Sequence, residues 1–86
     1  MAKDPIAIHL ASVAQLCKEM TQALNVLTVT GSESEEGKAA IRVLDECVTE
    51  IASKQRLEGF SHALVFHGGI RVLEEALKVL WHLVMS

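Results

Sequence analysis

The amino-acid sequence predicts an all-α fold, a small up-down-up three-helix bundle that is completed by dimerisation. Through three long stretches the apolar residues recur at alternating steps of three and four, which is the period of an amphipathic helix. The chain has only 86 residues, and half of them are hydrophobic. A chain of this length hides only about 60 to 65% of its unfolded surface. One domain over residues 1–86, with marginal stability of its own, is therefore expected.

The first helix is expected over residues 5–29. Asp4 is a suitable N-cap because its side chain accepts a hydrogen bond from an unpaired backbone amide, and Pro5 loses nothing at the first helical position. The helix should stop at Gly31, although the β-branched run over residues 26–30 also suits an extended end. The apolar residues of this segment fall on one face: Ile6, Leu10, Val13, Cys17, Met20, Leu24 and Leu27.

The second helix is expected over residues 33–56. Ser32 and Ser34 are both candidate N-caps, and Ser32 and Glu35 stand at the spacing of a capping box. Acidic residues in the first turn also suit the positive end of the helix dipole. The predicted apolar face consists of Ala40, Ile41, Leu44, Cys47, Val48, Ile51 and Ala52.

The third segment allows two interpretations. Residues 63–73 resemble a hairpin that turns at Gly68 and Gly69. The alternation of apolar residues nevertheless continues through the glycine pair, which favours one helix over residues 58–85. Two interior glycines cost roughly 2 kcal/mol relative to alanine, so a kink or a true break at Gly68-Gly69 is the alternative within the helical interpretation.

The predicted third helix carries more apolar surface than a small bundle covers. On a helical wheel its apolar residues span roughly 200°, whereas packing within the bundle needs a stripe of somewhat more than 100°. We predict that the excess forms the interface of a homodimer, because two-fold homo-oligomers are the commonest assemblies. A fold that hides the whole arc and a heterologous partner helix are the alternatives. The predicted interface residues are Ile70, Val72, Leu73, Ala76, Leu77, Val79, Leu80, Trp81, Leu83 and Val84.

Composition and charge argue against several classes of protein. The formal net charge is −3 and the sequence pI is about 5.7, which disfavours binding to nucleic acid. The apolar runs are shorter than the roughly 18 residues of a membrane span, and no secretory signal is recognisable. Two cysteines fit neither a disulfide-rich secreted scaffold nor a Cys-x-x-Cys knuckle, so a cytoplasmic location is expected.

No set of residues points to catalysis or to a resident cofactor. Cys17 and Cys47 fall on apolar faces and are expected to be buried, slowly reacting thiols. A helical hairpin that turns near Gly31 brings the two thiols to a similar height. A zinc site that adds His62 or His67 is therefore an alternative, although the usual short ligand spacings are missing.

The sequence thus predicts a small protein–protein interaction module of the regulator, adaptor or chaperone type, which works as a helical homodimer and is not an enzyme. The first alternative is a helical protein that binds a metal or cofactor through the two cysteines and the histidines. The second is a helical DNA-binding regulator, which the acidic pI disfavours. The histidines are His9, His62, His67 and His82.

Overall fold

The computed structural model describes residues 4–85, which are helical apart from short connections. Four α-helices follow one another along the chain: α1 (Pro5–Thr30), α2 (Glu35–Lys54), α3 (Phe60–Phe66) and α4 (Gly69–Met85). The all-α prediction is confirmed, while the predicted third helix is divided in two. The predicted domain also includes residues 1–3 and 86, which lie outside the described residues.

Helix α1 begins and ends as the sequence predicts. The Asp4 carboxylate accepts a hydrogen bond from the Ile6 amide at 2.9 Å, and Pro5 occupies the first helical position. At the other end the Gly31 amide donates to the Leu27 carbonyl at 2.9 Å, and Gly31 adopts a φ of 80°. The β-branched end of α1 stays helical, with the Thr30 hydroxyl donating to a carbonyl one turn earlier. The extended alternative for residues 26–30 is therefore wrong.

Helix α2 begins two residues later and ends two residues earlier than residues 33–56. Ser34 is the N-cap, since its Oγ accepts a hydrogen bond from the Gly37 amide at 2.9 Å. Ser32 does not cap the helix, so the capping box that it would form with Glu35 is wrong. The reason is that Ser34 Oγ also donates to the carbonyl of Gly31, which secures the turn between the helices.

The prediction of one helix over residues 58–85 is wrong, because the chain breaks at His67 and Gly68. Gly68 has a φ of 68°, a left-handed conformation that glycine adopts at little cost and that ends α3. Gly69 is needed for a different reason. A Cβ at this position would lie 2.5 Å from Leu64 Cδ1 and 2.9 Å from Cys17 Sγ, so the start of α4 approaches α1 closely.

Replacement of Gly68 by alanine should therefore destabilise the protein by about 1 kcal/mol, because an alanine backbone is strained in the left-handed region. Gly68→Asn is the matched control and should cost less, since asparagine tolerates this region better. Urea denaturation of both variants measures the difference. An alanine variant that is as stable as the original chain would contradict the break and favour a continuous helix.

The helices pack around one cluster of apolar side chains. Helices α1 and α2 are antiparallel, so Glu19 faces Cys47, and in the turn that joins them Gly37 approaches the Gly31 backbone closely. Helices α3 and α4 both contact α1, and α4 also contacts α2. Over residues 4–85 no helix is long and apolar enough to cross a bilayer. The buried apolar residues are Val13, Leu16, Cys17, Met20, Ala23, Ala40, Leu44, Cys47, Ile51, Phe60, Ala63, Leu64 and Ala76.

Candidate binding surfaces

Helix α4 contributes little to this core and leaves an apolar stripe open to solvent. Val84 is 78% exposed, Trp81 66%, Leu77 46% and Ile70 42%. Of the α4 side chains with a Cβ, only Ala76 is fully buried. We call the following set the α4 stripe: Ile70, Leu73, Leu77, Leu80, Trp81 and Val84.

The α4 stripe follows a seven-residue repeat. Ile70, Leu77 and Val84 are separated by seven residues each, and Leu73 and Leu80 occupy the second apolar position of the same repeat. This is the a and d pattern of a helix that packs along its length against another helix. The C-terminal half of the stripe borders an open groove of about 520 Å³, and Lys78 is the only charged residue in its lining.

The structure separates the ten predicted interface residues into three groups. Ala76 is fully buried in the chain's own core and is unavailable to a partner, a correction to the predicted set. The larger side chains at the edge of the core are half-buried: Val72, Leu73, Val79 and Leu80. The exposed members are Ile70, Leu77, Trp81, Leu83 and Val84. A fold that hides the whole apolar arc is therefore excluded.

A second surface, between α1 and α2, does not appear in the sequence-based prediction. It is an open groove of about 570 Å³, and no residue of α3 or α4 lines it. We call it the acidic groove. Its apolar lining consists of Ala23, Val26, Ala39, Ala40, Val43 and Cys47. Its polar lining consists of Glu19, Gln22, Glu36, Glu46 and Glu50.

Carboxylates dominate the electrostatics of the acidic groove. No lysine or arginine lines it. Within the described part of the chain, the one cation paired with these carboxylates is Lys54, whose Nζ lies 3.1 Å from Glu50 Oε1. Glu36 and Glu46 are exposed and take part in none of the ion pairs among residues 4–85. The groove therefore combines an apolar lining with a net negative charge, of which Lys54 neutralises only the part at Glu50.

The two cysteines are free and buried, in different surroundings. Cys17 faces Gly69 at the start of α4, and burial raises the pKa of its thiol. Cys47 lines the acidic groove, and its Sγ donates to Glu19 Oε2 at 3.7 Å. Burial, followed by the Glu19 carboxylate, raises the pKa of Cys47 from 9.0 to about 11. Both effects favour the protonated thiol, which is the less reactive form.

Both thiols should react slowly with a maleimide at pH 8, and Glu19→Gln should accelerate the labelling of Cys47 about three- to tenfold. The substitution removes a negative charge that disfavours the thiolate, so the pKa of Cys47 falls while burial still holds it above 9.0. Peptide-resolved mass spectrometry measures the rate at each cysteine. Glu33→Gln is the control, and an unchanged rate at Cys47 in Glu19→Gln would contradict the assigned contact.

The histidines have no common site. His9 Nε2 donates to the Glu58 carbonyl at 3.0 Å, and its ring packs edge-on against Phe60 with centroids 5.4 Å apart. His62, His67 and His82 are exposed at separate positions on α3, its C-terminus and α4. Among the residues that the structure describes, no group of three or more His, Cys, Asp or Glu side chains is arranged to hold a metal ion.

The described residues thus define a small all-α protein with two exposed apolar surfaces, one that Lys78 alone borders with a charge and one that is acidic. Comparison of the chain with protein-family models, with curated proteins and with solved structures gives no match.

Proposed function

We propose that this chain is a small protein–protein interaction module that acts as a cytoplasmic homodimer and has no catalytic activity. The observation that carries the proposal is the α4 stripe, which exposes large apolar side chains in a helical repeat along about 21 Å of α4. Contiguous exposed apolar surface of this kind marks interaction sites in soluble proteins. The cytoplasmic location rests on the two free, buried cysteines.

A second copy of the chain is the occupant that best suits the α4 stripe. A two-fold interface places the same surface on both partners, so the surface must be complementary to itself. The groove along the C-terminal half of the stripe is lined by no carboxylate, and each copy brings only one charged side chain, Lys78, to this part of the interface. The heptad spacing also matches two identical helices that pack at a shallow angle.

The small core of a single chain also favours dimerisation. Of the apolar residues buried in the core, α4 supplies only Ala76, while the larger apolar side chains of α4 are at most half-buried. Full burial of a large apolar side chain contributes about 1.5 to 3 kcal/mol, and the stripe leaves several of them exposed. Dimerisation therefore stabilises a chain whose own core is small.

Gel filtration with light scattering tests the proposal. At micromolar concentration the mass should be about twice the 9.4 kDa of one chain. The midpoint of thermal unfolding should also rise with protein concentration, because the folded dimer is favoured by mass action. A compact monomer whose stability is independent of concentration would overturn the homodimer.

A further inference from the structure

The acidic groove differs from the α4 stripe in position and in charge. Its residues come from α1 and α2 alone, whereas Cys17, on a different side of α1, faces α4. The groove therefore opens on a side of the α1–α2 pair that α4 does not line. The chain thus has room for a second partner.

The dimensions of the acidic groove suit a helix. From Glu36 to Glu50 it follows about 21 Å of α2, at about 1.5 Å per residue, which equals four turns of a docked helix. Alanines line it on both sides, and small side chains allow another helix axis to approach closely. An antiparallel helix pair with an apolar groove between its helices is a known mode of binding an amphipathic helix.

The charges around the acidic groove determine which kind of helix it can bind. Glutamates from both helices border the groove, and none of its lining residues is basic. A second copy of this chain is a poor occupant, because the chain carries a net charge of −3 and brings further carboxylates to the site. A helix with lysine or arginine on both sides of its apolar face places its cations against these carboxylates.

Given the proposed role as a binding module, we propose that the acidic groove binds a basic amphipathic helix of another protein. The partner helix presents small or branched apolar residues at i, i+3, i+4 and i+7 to the alanine and valine lining. Its lysines or arginines pair with Glu36 and Glu46, the exposed carboxylates that have no cation partner within residues 4–85. The homodimer then carries two such grooves, one on each copy.

A labelled synthetic peptide tests this inference. The peptide has about 15 residues, which span about 21 Å as a helix, with leucine and alanine on one face and lysine on both flanks. Two control peptides are needed. One replaces every lysine with glutamate and keeps the apolar face, and the other has the same composition in a scrambled order. Fluorescence anisotropy should show that the basic amphipathic peptide binds and that neither control peptide does. The binding should weaken with added salt.

Variants of the chain locate the binding. The double substitution Glu36→Gln with Glu46→Gln should weaken binding about three- to thirtyfold, since each exposed ion pair contributes modestly. Ala39→Arg, an exposed position on α2, should abolish it by filling the groove and adding a positive charge. The control is Glu33→Gln with Asp45→Asn, which removes the same charge from carboxylates outside the groove and should leave the affinity unchanged.

These variants test peptide binding in the acidic groove independently of the proposed homodimer. Trp81→Glu, which disrupts the α4 stripe, should leave peptide affinity unchanged, and the groove variants should leave the mass unchanged. Equal binding of the glutamate peptide or of the scrambled peptide would overturn the inference. So would unchanged affinity in Ala39→Arg, or loss of the dimer in that variant, which would mean that a second copy occupies the groove.

Discussion

Trp81→Glu is expected to convert the proposed homodimer into a monomer at micromolar concentration. Trp81 is 66% exposed in the single chain, so the substitution leaves the fold of one copy nearly unchanged. A two-fold interface doubles the effect, because each copy loses a large apolar contact and gains a charge that must be desolvated. At about 1.5 to 3 kcal/mol per copy, the dissociation constant should rise about 10² to 10⁴-fold.

The matched control is Ile8→Glu. Ile8 is 58% exposed and lies in the first turns of α1, outside both the α4 stripe and the acidic groove. The two substitutions add the same charge to an exposed apolar position, and circular dichroism checks that both variants stay helical. Sedimentation at several concentrations should show a dimer for Ile8→Glu and a monomer for Trp81→Glu. A dimer in both variants would show that the copies associate through a surface other than the α4 stripe.

Phe60→Ala should destabilise the chain by about 3 to 5 kcal/mol, the usual cost of removing a buried phenylalanine. Phe60 is completely buried at the start of α3, and its ring packs edge-on against His9 of α1. A chain of this length has about 4 to 13 kcal/mol of stability in total, so the substitution removes much of it. The short helix α3 depends on the packing of its buried side chains, Phe60, Ala63 and Leu64, because seven residues are too few for a stable isolated helix.

Phe66→Ala provides the comparison for this prediction. Phe66 ends the same helix but is largely exposed, so its replacement should cost less than about 1 kcal/mol. Urea denaturation of both variants in the Trp81→Glu background keeps dimer dissociation out of the measured free energy. A cost below about 1 kcal/mol for Phe60→Ala would contradict the packing of α3 against α1.

Several features of the fold and of the candidate surfaces were predictable because their sequence signals lie within one segment of the chain. Asp4 and Pro5 specify the start of α1 through a side-chain hydrogen bond and a pre-set backbone angle. The apolar excess over Ile70 to Val84 was visible as a wide arc on the helical wheel, and the structure leaves all of its large apolar side chains exposed or half-buried. Cys17 and Cys47 were expected on buried faces, and both are buried.

Other features depend on contacts between distant segments. The acidic groove joins residues 19–26 of α1 to residues 36–50 of α2. Taken singly, Glu19, Glu46 and Glu50 fit the solvated face of an amphipathic helix. Only the antiparallel alignment of the two helices places these carboxylates around one apolar surface. Within the sequence, the signal that could have indicated the groove is the pair Ala39 and Ala40 on the same face of α2 as Glu36, Glu46 and Glu50.

By itself, the sequence determined the helical character of this protein, the start and end of α1 and the apolar excess of its last segment. These properties follow from hydrogen bonds and side-chain periodicity within one or two turns. The tertiary structure decided the break at Gly68, the burial of Ala76 and the existence of the acidic groove. Each of these depends on what lies against a residue from another helix. The alternation of apolar residues specifies which face is apolar, but only packing decides which part of that face is covered.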